Sequence, residues 1–500
     1  MMILFLNMFA IVSQVSGQSL NEVCDVTACE LRDRLAQTSD FNSEFVLSQL
    51  AKLGKRLRSL EQTGWKISSG YERWSLCERG PCKCSPETKT INCWRQGLKG
   101  LPRNQIVPVD VKKIDLGFNK VSSLNKETFM GLSQITELDM TANEIDHLPP
   151  MIFETVDSLQ HLRLSENRLE EIDDGLFEHA HALETLDLSR NMLERVAARL
   201  LRNSRKLLAV NLSSNRIRNI SSDFFKGLNR LEEINLSTNN IKILHVHTFR
   251  KLTRLRELNL YENLINYLPP GMFDDQSSLE LLNLRKNRLT FIKAGLFDNL
   301  PRLLFLDLTA NWISKLNGLE FRKLKSVSEL HLGQNSLGGI PDGEFASMGT
   351  LVRLFLLNNN ILDLSNRTLK GLSSLKTLMI NNNELKRIDS AAFAELINLE
   401  ELQLDGNKLT TVPDGSLDFL KNLSGIKLTK NPWYCDCSIL YLSRWVKEND
   451  DKVWPVEPRC LGPGELSGRQ LHKATQEELC DRSYPHEKVE TNSININSKN

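Results

Sequence analysis

The chain has 500 residues, 63 Lys and Arg against 62 Asp and Glu, a formal charge of +1 and 25% charged residues. So balanced a charge excludes bulk electrostatic attraction as the reason for binding nucleic acid or an acidic membrane. The length suggests several domains, unless the chain is an array that grows without a central core.

Residues 1–17, MMILFLNMFAIVSQVSG, are an apolar run ending in small residues, and predict a secretory signal peptide cleaved after Gly17. Beyond it no run of 18 apolar residues occurs, and the tail SYPHEKVETNSININSKN is polar. Neither a membrane span nor a lipid anchor is expected. The ten cysteines lie only towards the ends, at Cys24, Cys29, Cys77, Cys82, Cys84, Cys93, Cys435, Cys437, Cys460 and Cys480. An even count in such clusters suits disulfides in an oxidising compartment.

From Leu31 to about Leu60 the sequence reads as helix, with Val46, Leu50, Leu53, Leu57 and Leu60 at alternating spacings of four and three. Two readings stay open. The segment 24–60 forms a short coiled coil for self-association, with Cys24 and Cys29 bridging chains, or it is one amphipathic helix lying on the body with a local Cys24–Cys29 bond. Trp65 and Trp74, set among Gly64, Gly70 and serines, read as a link.

The centre of the chain is an asparagine repeated every 24 residues, at Asn119, Asn143, Asn167, Asn191, Asn215, Asn239, Asn263, Asn287, Asn311, Asn335, Asn359, Asn383, Asn407 and Asn431. Each ends the frame LxxLxLxxN, as in Leu159, Leu162, Leu164 and Asn167. Ten residues after most of them stands Phe, from Phe129, Phe153 and Phe177 to Phe345 and Phe393, with Leu201, Leu369 and Leu417 at the same register. The LxL alternation predicts a short strand with one apolar face, and each unit needs a neighbour to cover it. The Asn amide can satisfy backbone groups where the strand ends, and stacked asparagines are expected to form a ladder. At about 4.8 Å per strand, fourteen strands give an inner arc on the order of 65 Å, large enough for a protein partner.

This pattern resembles the leucine-rich repeat family over residues 105–433. The resemblance implies an α/β solenoid, a horseshoe with a parallel concave sheet of about 14 strands and disulfide caps at both ends. Residues 77–93, CERGPCKCSPETKTINC, resemble the N-terminal cysteine cap (77–104) and imply the pairs Cys77–Cys84 and Cys82–Cys93. Four cysteines with a CxC also fit zinc, but a signal peptide and an extracellular type of repeat favour disulfides, and no metal is expected. The stretch from Asn431 to Trp454 with Cys460 and Cys480 resembles the C-terminal cap (434–481), implying Cys435–Cys460, Cys437–Cys480 and a helix whose Leu440, Leu442 and Trp445 cover the last repeat. Residues 18–76 are then a helical N-terminal extension and 482–500 a polar tail. The layout is similar to secreted members such as the carboxypeptidase N regulatory subunit, the acid-labile subunit and Slit-type repeats.

With Leu facing inward, alternate strand positions face the concave surface. Early strands carry mainly acids and amides there, such as Asp115, Asp139, Asp187, Asn211 and Asn235. Later ones carry Leu281, Phe305, Phe355, Leu357 and Met379 around His331, an exposed apolar patch that fits a partner-binding hot spot. The plain alternatives are that the N-terminal segment or another copy covers it, or that it is scattered exposure.

Sequons at Asn211, Asn219, Asn235, Asn366 and Asn422 predict N-glycosylation. Glycans on Asn211 and Asn235 would steer large ligands towards the C-terminal half, although Asn-Leu-Ser also suits those strand positions for its own sake. GxSxG, HExxH and phosphate-binding loops are absent. His179 with His181 and His245 with His247 read as solvated loop histidines. No enzyme and no cofactor is expected. The expected function is a secreted glycoprotein that binds an extracellular protein through its concave face, as a soluble recognition, carrier or complex-stabilising subunit. The alternative is a matrix or adhesion component that multimerises through its N-terminal segment.

Overall fold

The computed structural model describes residues 50–480 apart from 52, 56, 58–64, 71, 72 and 455. The expected signal peptide, Cys24, Cys29, most of the 24–60 segment and the tail lie outside the described residues. The chain comprises two compact units, residues 1–264 and 265–500.

Each unit is built from three-residue strands that recur every 24 residues. In the first, the strands Lys113–Asp115, Glu137–Asp139, His161–Arg163, Thr185–Asp187, Ala209–Asn211, Glu233–Asn235 and Glu257–Asn259 pair in parallel. In the second, Leu281–Asn283, Phe305–Asp307, Glu329–His331, Arg353–Phe355, Thr377–Met379, Glu401–Gln403 and Gly425–Lys427 do the same. Every pairing is offset by one repeat, as in Glu329 beside Arg353. The fold is therefore the expected parallel solenoid, with one strand per asparagine. The return crossings are made of turns: Thr128 N bonds Asn125 O and Leu132 N bonds Phe129 O. Bonds spanning three residues belong to turns and short tight helix, not to an α-helical ladder.

The middle residue of every strand is buried, and the core is a column of leucines on one side and a column of phenylalanines on the other. Phe129, Phe153 and Phe177 stack at centroid distances of 6.1 Å, and Phe273, Phe297, Phe321 and Phe345 at 6.3–6.4 Å. Each ring covers the ring before it, so the apolar area buried by a turn comes almost entirely from its two neighbours.

All fourteen asparagines are buried. They do not bond one another. Asn335 Nδ2 donates to Leu308 O at 3.0 Å in the preceding repeat and to Leu332 O at 3.1 Å in its own, while its Oδ1 accepts from Ile313 N at 3.0 Å. Asn191 does the same with Leu164 O, Leu188 O and Leu169 N. The expected ladder is thus a set of clamps from each side chain to the backbone of the turn before it. The residue ahead of each Asn has a left-handed backbone, as Arg190 (φ 52°) and Gln334 (φ 54°) do, and only at Gly406 (φ 67°) is it glycine. Such a conformation costs about 1–2 kcal/mol for an L-residue, and the buried hydrogen bonds of the Asn that follows offset it.

Disulfides join Cys77 to Cys84 and Cys82 to Cys93 at one end, and Cys435 to Cys460 and Cys437 to Cys480 at the other. The stretch around Trp65, which the sequence reads as a link, packs against the repeats. Strand Lys66–Ser68 pairs in parallel with Ile106–Pro108, and buried Trp65 meets the first ring of the phenylalanine column edge-on, 6.2 Å from Phe129. The physical reason is that this ring has no earlier neighbour, so a large apolar side chain must cover it. At the other end, Leu442 and Trp445 of helix Leu440–Glu448 are buried and Leu440 is half-buried. The hydroxyl of Tyr441 accepts from Leu417 N at 3.0 Å and donates to Asp418 Oδ1 at 2.8 Å, which closes the last turn.

Candidate protein-binding face

The outward residues of the second unit's strands fall into two columns. One runs Asn283, Asp307, His331, Phe355, Met379 and Gln403, the other Leu281, Phe305, Glu329, Arg353 and Thr377. The register thereby brings Leu281, Phe305, His331, Phe355 and Met379 onto neighbouring strands. Leu357 joins them from beyond its strand, over Gly333, where a Cβ would come within 3.1 Å of Leu357 Cδ2.

All six residues are half-buried, not exposed as the sequence suggests. They cover one another: His331 lies 5.2 Å from Phe305 and 4.2 Å from Phe355, nearly parallel to the latter at 22°. Glu329 fixes the row from its side. Its Oε1 lies 2.7 Å from His331 Nε2, and its Oε2 accepts from Arg353 Nη1 at 2.7 Å. A flat apolar row with its polar atoms already held in place loses little side-chain entropy when a partner lands on it. Leu304, 46% exposed beside Phe305, extends the apolar area and escaped the sequence reading because its register is mostly polar in the unit, with Val352 as the other apolar residue.

Trp454 was also missed. This C-terminal residue lies against Gly425, where a Cβ would come within 2.5 Å of the indole nitrogen, and Lys427 Nζ sits 4.1 Å above its ring. The signal in the sequence is Gly425 itself, the one glycine in its column.

The acids and amides of the early strands have a local task. Asp139 Oδ1 accepts from Thr141 N at 2.9 Å, Asp187 from Ser189 N at 2.9 Å, Asn211 from Ser213 N at 3.1 Å and Asn235 from Ser237 N at 3.0 Å. These bonds close the turn at the strand end. Asp307 makes the last of them, to Thr309 N at 2.8 Å, and among the described residues His331, Phe355 and Met379 make none. The change of character along the columns is thus a change from turn-closing to outward-facing side chains. Burial is also the largest influence on the Asp115 carboxyl and raises its pKa, whereas a hydrogen bond from Lys113 holds Glu137 below the usual carboxylate range.

Asn219, Asn366 and Asn422 are exposed, while Asn211 and Asn235 are half-buried in strands. His245 and His247 lie 5.3 Å apart, and among the described residues no group of three or more His, Cys, Asp or Glu could hold a metal ion. No described helix is long and apolar enough to cross a membrane.

Carboxypeptidase N subunit 2 of Homo sapiens is 33% identical over 54 residues, which is 11% of this chain and 10% of that protein. The platelet glycoprotein Ib beta chain of Rattus norvegicus is 39% identical over 54 residues, 11% of this chain and 26% of that one. These matches span far less than two thirds of either relative. Among solved structures, a leucine-rich-repeat protein of Leptospira interrogans superposes with a TM-score of 0.62 and 25% identity, covering 78% of this chain and all of that one. A TLR13–ssRNA13 complex superposes with a TM-score of 0.60 and 26% identity, covering 71% and 52%. The family described as Leucine rich repeat matches residues 109–169, 157–217, 205–265, 253–313, 325–383, 350–409 and 373–432, together more than half of the chain. On that match and on the strand-per-asparagine solenoid it predicts, this chain belongs to the leucine-rich repeat family.

Proposed function

We propose that this protein is secreted and binds an extracellular protein on the outward face of its second unit, as a soluble recognition, carrier or complex-stabilising subunit. The observation that carries this reading is the aromatic row Phe305, His331 and Phe355, clamped by Glu329 and Arg353 where the turn-closing acids end with Asp307. Aromatic side chains flanked by a charged pair fit the anchors of protein interfaces. Disulfides at both ends and likeness to a carboxypeptidase subunit support the extracellular setting. Single-stranded RNA, the ligand in the TLR13 complex, is disfavoured here, because the row's cation, Arg353, is already bound to Glu329. Leucine-rich repeat folds are typically interaction scaffolds rather than enzymes, and the proposed action is stoichiometric.

The test is capture of partners from the protein's native fluid by the full chain and by Phe305→Asp/Phe355→Asp. One stoichiometric protein held by the first and lost by the second supports the proposal. Equal capture by both, or retention only of further copies of the chain, overturns it in favour of the self-associating matrix component.

A further inference from the structure

Three successive turns of the first unit carry two columns of cations on their return side. Arg202, Lys226 and Arg250 share one register position, and Lys206, Arg230 and Arg254 share another, four residues on. All six are exposed. Beneath them Phe225 and Phe249 stack at 6.0 Å, so the three rungs of each column span roughly 12 Å. The charge is local. One turn earlier the two positions hold Glu178 and Ala182; in the second unit the first position mixes signs, with Asp274, Asp298 and Asp418 against Arg322 and Lys370, and the second holds one cation, Arg302, so no other three successive turns carry both columns. Among the described residues two acids touch the columns: Asp223 lies 3.5 Å from Lys226 Nζ and Glu178 lies 3.1 Å from Arg202 Nη2. A chain of net charge +1 has therefore gathered positive charge onto one strip.

Between the last two of these turns opens a cleft of about 410 Å³, lined among others by Lys226, Asn229, His247, Thr248, Arg250 and Lys251. Thr248 is 1% exposed, and among the described residues its hydroxyl Oγ1 has no hydrogen-bond partner. That hydroxyl is closed off from solvent, so the charge of the cleft comes from Lys226, Arg250 and Lys251 against Asp223.

We propose that this strip binds a linear sulfated polysaccharide, laid across the three turns with its sulfates on the two columns and one sulfate in the cleft. Evenly spaced cations on long side chains suit a flexible polyanion, whose bound counterions they release. No Phe, Tyr or Trp between residues 199 and 256 is exposed, so the stacking platforms that hold single-stranded nucleic acid are missing from the strip. Confinement to three turns around a cleft disfavours a flat membrane surface. The inference rests on the extracellular setting proposed above but not on the aromatic row, and its residues lie in the other unit, so either can fail alone.

The experiment measures binding of the full chain to immobilised heparin across a salt series, beside Lys226→Ala/Arg230→Ala/Arg250→Ala/Arg254→Ala and the control Lys370→Ala/Lys386→Ala/Lys408→Ala/Lys421→Ala. All eight positions are exposed, and matched melting temperatures verify the fold. The strip variant should bind at least about tenfold more weakly, with a logarithmic salt slope smaller by about three to four, while the control changes less than about twofold. The single variant Lys226→Ala should lower the slope by about one. Three results would overturn the proposal: equal loss in both fourfold variants, equal binding to desulfated heparin, or tighter binding of the native chain to phosphatidylserine vesicles or oligoribonucleotides than to heparin.

Discussion

The ring of His331 lies 4.2 Å from that of Phe355, tilted by only 22°, on the neighbouring parallel strand. Because both are half-buried by each other and not by the core, either can be trimmed without opening the solenoid. Phe355→Ala should weaken the captured partner by about 2 kcal/mol, roughly thirtyfold, and leave the melting temperature within a degree or two. Calorimetric titration with the purified partner checks it, and an unchanged affinity would remove the row from the binding face.

Asn335 is a clamp, not a surface residue. Replacing it with Ala strands the buried Ile313 N without a side-chain partner, whereas Leu308 O keeps its bond from Asn311 Nδ2 at 3.0 Å. At about 1–3 kcal/mol for the unsatisfied group, Asn335→Ala should cost at least that much in urea unfolding. Lys376→Ala, on an exposed pair with Glu400, should cost less than about 1 kcal/mol. Similar midpoints for the two variants would contradict the clamp.

Phe297 is 1% exposed and stacks between Phe273 and Phe321. Phe297→Ala leaves a void with rings on both sides and should destabilise by about 3–5 kcal/mol. Since each turn is held by its neighbours, the loss should appear as earlier proteolysis around that turn as well as a lower midpoint.

Glu320 and Glu344 occupy equivalent places in successive turns and are each 1% exposed. Glu320 accepts from Asn317 N and Leu319 N, and Glu344 from Phe321 N at 3.1 Å. Burial first, then the Glu320 charge, pushes the Glu344 carboxyl up to about 7. A folded pKa above the unfolded one means that the native state holds the extra proton. Its contribution is fully present below about pH 4.5 and is lost as pH rises through about 7, a change of at most about 3 kcal/mol. Glu344→Gln should flatten this part of the stability profile between pH 4.5 and 7.5. A native profile that rises over that window would refute the assignment.

The repeat was legible because its signal is local and redundant. The strand, the buried Leu and the Asn recur at one spacing, and a solenoid turn meets only the turns beside it, so period and register are the same information. The candidate face was legible in part, since alternation along a strand says which residues point outward, and Phe305, His331 and Phe355 were found that way. The meaning of the early acids was not, because closing a turn and facing a partner ask for the same residue types at the same position. Only the bond that Thr141 N donates to Asp139 Oδ1 separates the two.

What the sequence by itself determined is the period, and with it the solenoid, its two apolar columns and the fourteen clamps. The tertiary structure alone decided how the ends close and what distant stretches share. Trp65 covers Phe129 across 64 residues, and Trp454 fills the gap over Gly425. Those contacts follow from where the chain returns in space. No periodicity encodes them, because each occurs once.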